Sequence, residues 1–325
     1  MRKILHTMTL FIILALFTGC AITKTVVGDF YLEHKKYDSG QKYFKNKLKE
    51  NNSDASSQYY YGRFLLLKKN EKEALVHLKK AVALDNKNAD YHSWLAIAYS
   101  RQKEYNKERE AYLKALKINK NHLQSLTYLA HNYYEAKEYK NALKYYAKSL
   151  KLQKFNHASL YNRALSLNKL RRMPEEKLAW LAYLEYYPSG LFAQKAVRFL
   201  NTLGSFDYRN HIIGIRTLTL KNIRFENFEA TIDNSSNSSL DLLGKILNKK
   251  TKIDIHIVVY QQNNILLAKE KAKSIQKYLL KKYPNIDASR LKLSWFDTAK
   301  ILLINKRKYI RGEHVDFISI NEKKK

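Results

Sequence analysis

The chain has 325 residues, of which 45% are hydrophobic, so it is long enough for two domains and too apolar to be a disordered protein. Its 60 lysine and arginine residues outnumber 29 aspartate and glutamate residues, which gives a net charge of +31. The excess of basic residues is distributed evenly along the chain: residues 21–204 contain 34 basic and 17 acidic residues, and residues 205–325 contain 24 and 12. An even excess favours a compositional bias over a nucleic-acid-binding domain.

The first twenty residues have the pattern of an export signal. Two basic residues are followed by a largely apolar run over residues 4–17, which is too short to span a bilayer. Thr18 and Gly19 are small residues directly before Cys20, the only cysteine of the chain. This ending resembles the bacterial lipobox, which implies a signal peptide over residues 1–20 and lipid attachment at Cys20.

The lipobox resemblance also implies a location. In that family, a residue other than aspartate after the cysteine allows sorting to the outer membrane, and Ala21 stands there. A lipidated cysteine carries several acyl chains and anchors a protein stably. We therefore expect an outer-membrane protein that faces the periplasm, with covalent lipid on Cys20, no other cofactor and no nucleic-acid partner. An ordinary signal peptide is the alternative, and it would leave an unpaired thiol in an oxidising compartment.

A 34-residue period runs through the first half of the chain, in blocks that start at residues 21, 55, 89, 123 and 157. Small residues recur at place 8 of the blocks, namely Gly28, Gly62, Ala96, Ala130 and Ala164. Bulky residues recur at place 24, namely Phe44, Leu78, Tyr112, Tyr146 and Trp180. The pattern resembles the tetratricopeptide repeat, a pair of antiparallel helices that buries its apolar face by stacking on neighbouring pairs. The resemblance implies an α-superhelix of five repeats over residues 21–190, and the helical stretch after it predicts a capping helix and linker over 191–204.

In that family, places 2, 5, 9 and 12 of each first helix line an inner groove. Applied to this chain, the resemblance predicts a partner-binding groove that includes Tyr59, Arg63, Ser93, Thr127, His131, Tyr134, Tyr161 and Asn168. Aromatic, hydroxyl and cationic side chains on a concave wall suit an extended peptide or a partner helix. The alternative is that these residues form an ordinary solvated face.

The second half has the periodicity of an α+β domain. Strands are predicted near residues 217–225, 253–259, 291–296 and 315–320, with helices over 240–247 and 265–282. This β-α-β-α-β-β order, with segments such as "KIDIHIVV" and "LLAKEKAKSIQKYL", resembles the OmpA-like domain. The predicted fold is therefore a multi-domain, mostly α protein, with an α+β OmpA-like domain over residues 205–325 after the repeats.

OmpA-like domains hold a peptidoglycan peptide between an aspartate and an arginine. The resemblance places Tyr260 at the aspartate position and Lys271 at the arginine position, with Glu313 and His314 near a further arginine position. Lysine keeps the charge but lacks the planar fork of arginine. These replacements predict a degenerate site in which peptidoglycan binding is doubtful.

Catalytic and metal-binding patterns are not found in the sequence. The ten histidines lack metal-binding spacing, and there is no glycine-rich phosphate loop. We therefore expect no enzyme and no metal, but a protein-protein interaction scaffold that gathers envelope proteins and has a possible association with the cell wall. An envelope assembly factor or chaperone for outer-membrane proteins is the first alternative. A protein that handles lipopolysaccharide or phospholipid is the second, and it would need the positive charge to collect on one face.

Overall fold

The computed structural model describes residues 24–320, so the export signal and the predicted lipid site Cys20 lie outside the described residues. The described chain divides into two compact units between Asn162 and Arg163, a boundary within the ninth helix. Eleven helices precede the first described strand. They are α1 (24–33), α2 (Tyr37–Glu50), α3 (Ala55–Leu67), α4 (Glu71–Leu84), α5 (Ala89–Arg101), α6 (Tyr105–Ile118), α7 (Leu123–Glu135), α8 (Tyr139–Leu152), α9 (His157–Lys169), α10 (Met173–Tyr186) and α11 (Gly190–Thr202).

The helices follow the 34-residue register closely. The first helices of the second to fifth blocks, α3, α5, α7 and α9, each begin at the first residue of the block. The turn between the two helices of each block has a non-glycine residue with a positive φ at place 15, namely Lys35, Lys69, Lys103, Lys137 and Arg171. After α3, Lys69 donates its N–H to the carbonyl of Leu66 and Asn70 donates to that of Leu65, at 3.0 and 2.9 Å. These bonds satisfy free carbonyls at the helix end, so each block forms the same type of turn.

The residues predicted to pack between helices are buried. Phe44, Leu78, Tyr112, Tyr146 and Trp180, at place 24, are at most 1% exposed. At place 8, a Cβ built on Gly62 would lie 2.7 Å from the Cγ of Leu78, closer than real side chains approach. A larger residue there would separate α3 from α4, which confirms the predicted need for a small residue.

The second unit begins with α10, α11 and a two-stranded sheet of β1 (Tyr208–Ile213) and β2 (Arg216–Lys221). The apolar face of α11, which includes Ala193 and Leu200, is fully buried. Gln194 donates its Nε2 to the carbonyl of Thr217 at 3.2 Å and accepts a bond from Asn210 on its own carbonyl at 3.0 Å. Helix α11 lies in the segment predicted as a capping helix and linker, and it packs both on α10, through Phe199 on Trp180, and on the β1–β2 hairpin.

The rest of the second unit is an α+β layer. It contains α12 (Asn237–Lys249), β3 (Asp254–Gln261), α13 (Ile265–Lys282), β4 (Leu291–Phe296), β5 (Lys300–Ile304), β6 (Arg307–Arg311) and β7 (Glu313–Ile320). Strand β3 lies between β4, which is parallel to it, and β7, which is antiparallel. Apolar side chains of α12, α13 and this sheet form one core, and β1 and β2 contribute Ile213 and Leu220 to it.

The predicted order β-α-β-α-β-β accounts for most of these elements but is incomplete. It lacks β1 and the β5–β6 hairpin, which forms a two-stranded sheet of its own. The strand predicted over 217–225 ends at Lys221, and Phe225 makes only an isolated bridge with Ile232. These strands were missed because backbone hydrogen bonds to a hairpin partner stabilise them, and the spacing of apolar residues along the chain does not show such a partner.

Candidate partner-binding cleft on the first helices

A polar cleft of about 200 Å³ lies on the first helices of the first three blocks. Its walls come from places 2, 5 and 9 of these helices, with contributions from neighbouring tyrosines. The lining residues are Thr25, Asp29, Ser56, Tyr59, Tyr60, Arg63, Asn88, Asp90 and Tyr91. The structure thus brings the predicted groove residues Tyr59 and Arg63 together in one cleft.

Arg63 is the central cation of the cleft. Its guanidinium carbon lies 4.3 Å from the ring centroid of Trp94 and 5.1 Å from that of Tyr59. Its Nη1 donates to the hydroxyl of Tyr59 at 3.0 Å and lies 3.8 Å from a carboxylate oxygen of Asp29. Its Nε is buried and has no hydrogen-bond partner within residues 24–320. A planar donor group is therefore held rigidly, and 16% of its side chain is exposed.

The two aspartates of the cleft keep carboxylate oxygens at the surface. The side chains of Asp29 and Asp90 are 50% and 60% exposed. Asp90 accepts a bond from Nε2 of His122 at 3.1 Å, and this bond holds the pKa of Asp90 below its ordinary value. Nδ1 of His122 accepts the backbone N–H of Ser125, so the ring proton is on Nε2. The cleft thus presents two exposed carboxyl groups beside a guanidinium.

The tyrosine hydroxyls of the cleft remain protonated at neutral pH. Burial raises the pKa of Tyr59 and Tyr60 well above the ordinary range, and burial raises that of Tyr91 to about 12. Tyr60 donates its hydroxyl to Asp29 at 2.9 Å. The cleft therefore offers neutral hydroxyls together with charged groups, which suits hydrogen bonding to a polar segment.

The other predicted groove residues fall into two groups. His131 is exposed and Tyr134 is half-buried, and their rings stack 6.4 Å apart on α7. Ser93, Thr127 and Tyr161 are buried, and the Thr127 hydroxyl lies 2.8 Å from the Ser149 hydroxyl. These three residues and Asn168, which donates to Glu176 at 2.9 Å, do not line the cleft around Arg63, and their groove-lining role stays a prediction.

Sequence reasoning missed Asp29 and Asp90. Both lie at groove places, 9 and 2, so the repeat register itself was the signal that could have found them. Trp94 and Tyr60 stand at place 6, and Tyr91 at place 3, outside the four groove places. The contacts of Trp94 and Tyr60 with Arg63, and of Tyr91 with Tyr59, depend on ring orientation, which the register does not predict.

The residues of the predicted degenerate OmpA-like site lie at one end of β3 and β7, on both faces of the sheet. Lys271 is 2% exposed, pairs with Glu313, and donates to Gln261 at 2.7 Å. Its Nζ also lies 4.8 Å from the ring centroid of Phe225. The charge of Lys271 is thus matched inside the protein.

Tyr260 and His314 are paired across β3 and β7, on the face of the sheet opposite to Gln261 and Glu313. Tyr260 stacks on Phe296 and accepts a bond from Lys300 at 3.3 Å. His314 is 1% exposed and lies 3.0 Å from Asp316. Burial acts to raise the pKa of Asp316, but bonds from His314 and Lys300 outweigh it and hold that pKa well below the ordinary range. The structure therefore places Tyr260 and His314 on one face of the sheet and Lys271 on the other, so it does not bring the three residues into one site. The buried Nδ1 of His314 has no hydrogen-bond partner within the described residues.

Neither a metal-ligand cluster nor a bilayer-spanning helix is found within the part of the chain that the structure describes.

Comparison with known proteins supports the repeat interpretation. Residues 65–103 match the family model described as TPR repeat, and no curated protein matches the chain. Among solved structures, the chain is similar to pilF of Pseudomonas aeruginosa, with a TM-score of 0.51 and 17% identity over 57% of this chain and 82% of that one. This likeness shows the fold of the helical part.

Two further solved structures have lower scores. TTC0263, a thermophilic TPR protein of Thermus thermophilus, has a TM-score of 0.46 and 18% identity over 56% of this chain and 99% of that one. YrrB, a TPR protein with an unusual peptide-binding site, has a TM-score of 0.45 and 15% identity over 52% of this chain and 87% of that one.

The chain thus contains a tetratricopeptide repeat within a series of helical hairpins in the same register. Proteins of this class are generally protein-protein interaction scaffolds whose repeats bind peptide partners, and the comparisons indicate no catalytic family.

Proposed function

We propose that this protein is a non-enzymatic interaction scaffold of the bacterial cell envelope, and that the cleft around Arg63 anchors an extended, polar segment of a partner protein. The observation that carries this proposal is the preorganised guanidinium of Arg63. Three aromatic rings surround it, and its buried Nε lacks a partner within the described residues. A rigid arginine among aromatic side chains is the composition typical of a binding hot spot.

The polarity of the cleft distinguishes the scaffold from the alternative of an assembly factor for unfolded proteins. A site for unfolded outer-membrane proteins would need a broad apolar wall. The cleft instead presents carboxylates, hydroxyls and an amide around one cation. This lining favours recognition of a particular polar segment.

We also propose that the protein is held at the outer membrane, on its periplasmic side, by lipid on Cys20. The support is the lipobox-like sequence, which lies outside the described residues. Metabolic labelling with palmitate tests it: the wild-type chain is expected to take up label and Cys20→Ala is expected to take up none, because the thiol is the acylated atom. Equal labelling of the two chains would contradict lipid attachment at Cys20.

For residues 205–325 we propose a degenerate OmpA-like module that contacts either the cell wall, weakly, or another envelope protein. The internal pairing of Lys271 with Glu313 supports weak wall binding, since a ligand carboxylate would have to compete with Glu313.

Photo-crosslinking in cells tests partner binding in the cleft. A photoreactive residue at Ser56, which lines the cleft, should form crosslinked products with a partner. Arg63→Met should reduce their yield at least about tenfold, because a hot-spot arginine contributes about 2 kcal/mol to binding. Methionine keeps most of the apolar volume, and circular dichroism checks that the helices remain.

The matched control places the same photoreactive residue at Val76, on the second helix α4, which is 52% exposed. The proposal would be wrong if Val76 gave the same products as Ser56, or if Arg63→Met left the yield at Ser56 unchanged in a folded protein.

A further inference from the structure

The β5–β6 hairpin of the second unit has an apolar outer face. Its register pairs Ile301 with Ile310 and Leu303 with Lys308, so these four side chains share one face. Ile301, Leu303 and Ile310 are 49%, 72% and 67% exposed, whereas Leu302, on the opposite face, is 7% exposed. Three large aliphatic side chains thus lie together at the surface of a short hairpin.

The hairpin is held from its inner face, so the outer face is presented rigidly. Asn305 and Lys306 both have positive φ, of 49° and 66°, and form the two-residue turn that fits the twist of a hairpin. On the inner face, Tyr309 packs edge-on against Phe206 at 5.1 Å, and Nζ of Lys300 lies 3.0 Å from Asp316.

The hairpin is also locally basic. Five of the twelve residues from 300 to 311 are lysine or arginine and none is acidic, whereas about one residue in five is basic in the whole chain. Lys306, Arg307 and Lys308 are exposed and form no ion pair within residues 24–320. Lys308 lies on the outer face, and Lys306 and Arg307 lie at the exposed tip of the hairpin, so these three basic residues lie next to the apolar face.

We propose that the outer face of the β5–β6 hairpin docks on an anionic lipid surface. Aliphatic side chains gain from entering the boundary between headgroups and acyl chains, and neighbouring lysine and arginine side chains reach the lipid phosphates with their charged ends. A protein partner would use the same apolar residues, but charge complementarity favours the lipid, because lipid supplies a continuous layer of negative charge without a specific arrangement of carboxylates.

Co-sedimentation with vesicles tests this proposal. The full chain carrying Cys20→Ala, so that no acyl chain contributes, is mixed with neutral phosphatidylcholine vesicles or with vesicles that also contain phosphatidylglycerol. We expect preferential binding to the anionic vesicles. The triple variant Lys306→Gln, Arg307→Gln, Lys308→Gln should bind them roughly a hundredfold more weakly, since each basic residue contributes about fivefold. Ile301→Thr, Leu303→Thr, Ile310→Thr should lose about tenfold or more.

Two matched controls separate the hairpin from general charge and general exposure. The variant Lys249→Gln, Lys250→Gln, Lys252→Gln removes the same charge at exposed positions elsewhere, and Ile215→Thr removes an aliphatic side chain that is 99% exposed. Both should bind within about threefold of the parent protein. The proposal is overturned if the charge control loses as much binding as the hairpin variant, or if the parent binds neutral vesicles equally well. Sedimentation with peptidoglycan sacculi but not with vesicles would also overturn it.

Discussion

Replacing Trp180 with alanine is expected to lower the free energy of unfolding by about 3 to 5 kcal/mol, the range for deleting a buried aromatic side chain. Trp180 is fully buried, and its ring stacks on Phe199 of α11 at a centroid distance of 4.9 Å. Its Nε1 donates to Glu176, which is itself 2% exposed. The alanine variant would leave a cavity between α10 and α11. Urea-induced unfolding, followed by far-ultraviolet circular dichroism, measures the loss.

A conservative variant separates the effect of the cavity from that of the hydrogen bond. Trp180→Phe keeps an aromatic ring against Phe199 but loses the donor to Glu176, which retains its bond from Asn168 at 2.9 Å. We expect a loss of about 1 to 2 kcal/mol for this change. An unfolding free energy for Trp180→Ala within error of the wild-type value would show that the fifth block does not pack in the assigned register.

Glu313→Gln is expected to lower the free energy of unfolding by about 3 kcal/mol. The change leaves the ammonium of Lys271 buried without its counter-charge, and breaking a buried pair by removing one partner costs about 3 to 5 kcal/mol. We expect the lower end of this range because the side chain of Glu313 is 37% exposed, so water can reach the Lys271–Glu313 pair. Trp295 packs against the same core, and its fluorescence reports the unfolding of this region in urea.

A double-mutant cycle tests whether the pair itself is responsible. Lys271→Met removes the buried charge and keeps a similar apolar volume beside Phe225. The combination of Lys271→Met with Glu313→Gln should therefore recover most of the stability lost in Glu313→Gln and come within about 1 kcal/mol of the wild type. If the double variant were less stable than either single variant, the charge pair would not be what stabilises this end of the sheet.

Much of the helical half could be predicted from the sequence because its information is local and repeated. The place of each large and small residue in the 34-residue period determines which side chains meet, as Gly62 and Leu78 do. The long amphipathic helix Ile265–Lys282 and the strand Leu291–Phe296 were predicted to the residue, since their apolar spacing is unambiguous.

The candidate cleft was predicted only in part. The register found Tyr59 and Arg63, and it could also have found Asp29 and Asp90. It did not show that Ser93 and Thr127 are buried, because a groove place on one helix is covered or open according to how closely the next helix approaches. It also gave no sign of the rings of Tyr60 and Trp94 around Arg63.

By itself, the sequence determined the repeat register, the bounds of the long helix Ile265–Lys282 and the order of the main elements of the second half, since each depends on the spacing of residue types along the chain. The tertiary structure alone decided that α11 packs on β1 and β2, that Lys271 is neutralised by Glu313 forty-two residues later, and that the aliphatic residues of β5 and β6 share an outer face beside basic ones. Each of these depends on which segments meet in space, and a side chain acquires its partner, its burial and its charge environment only when they do.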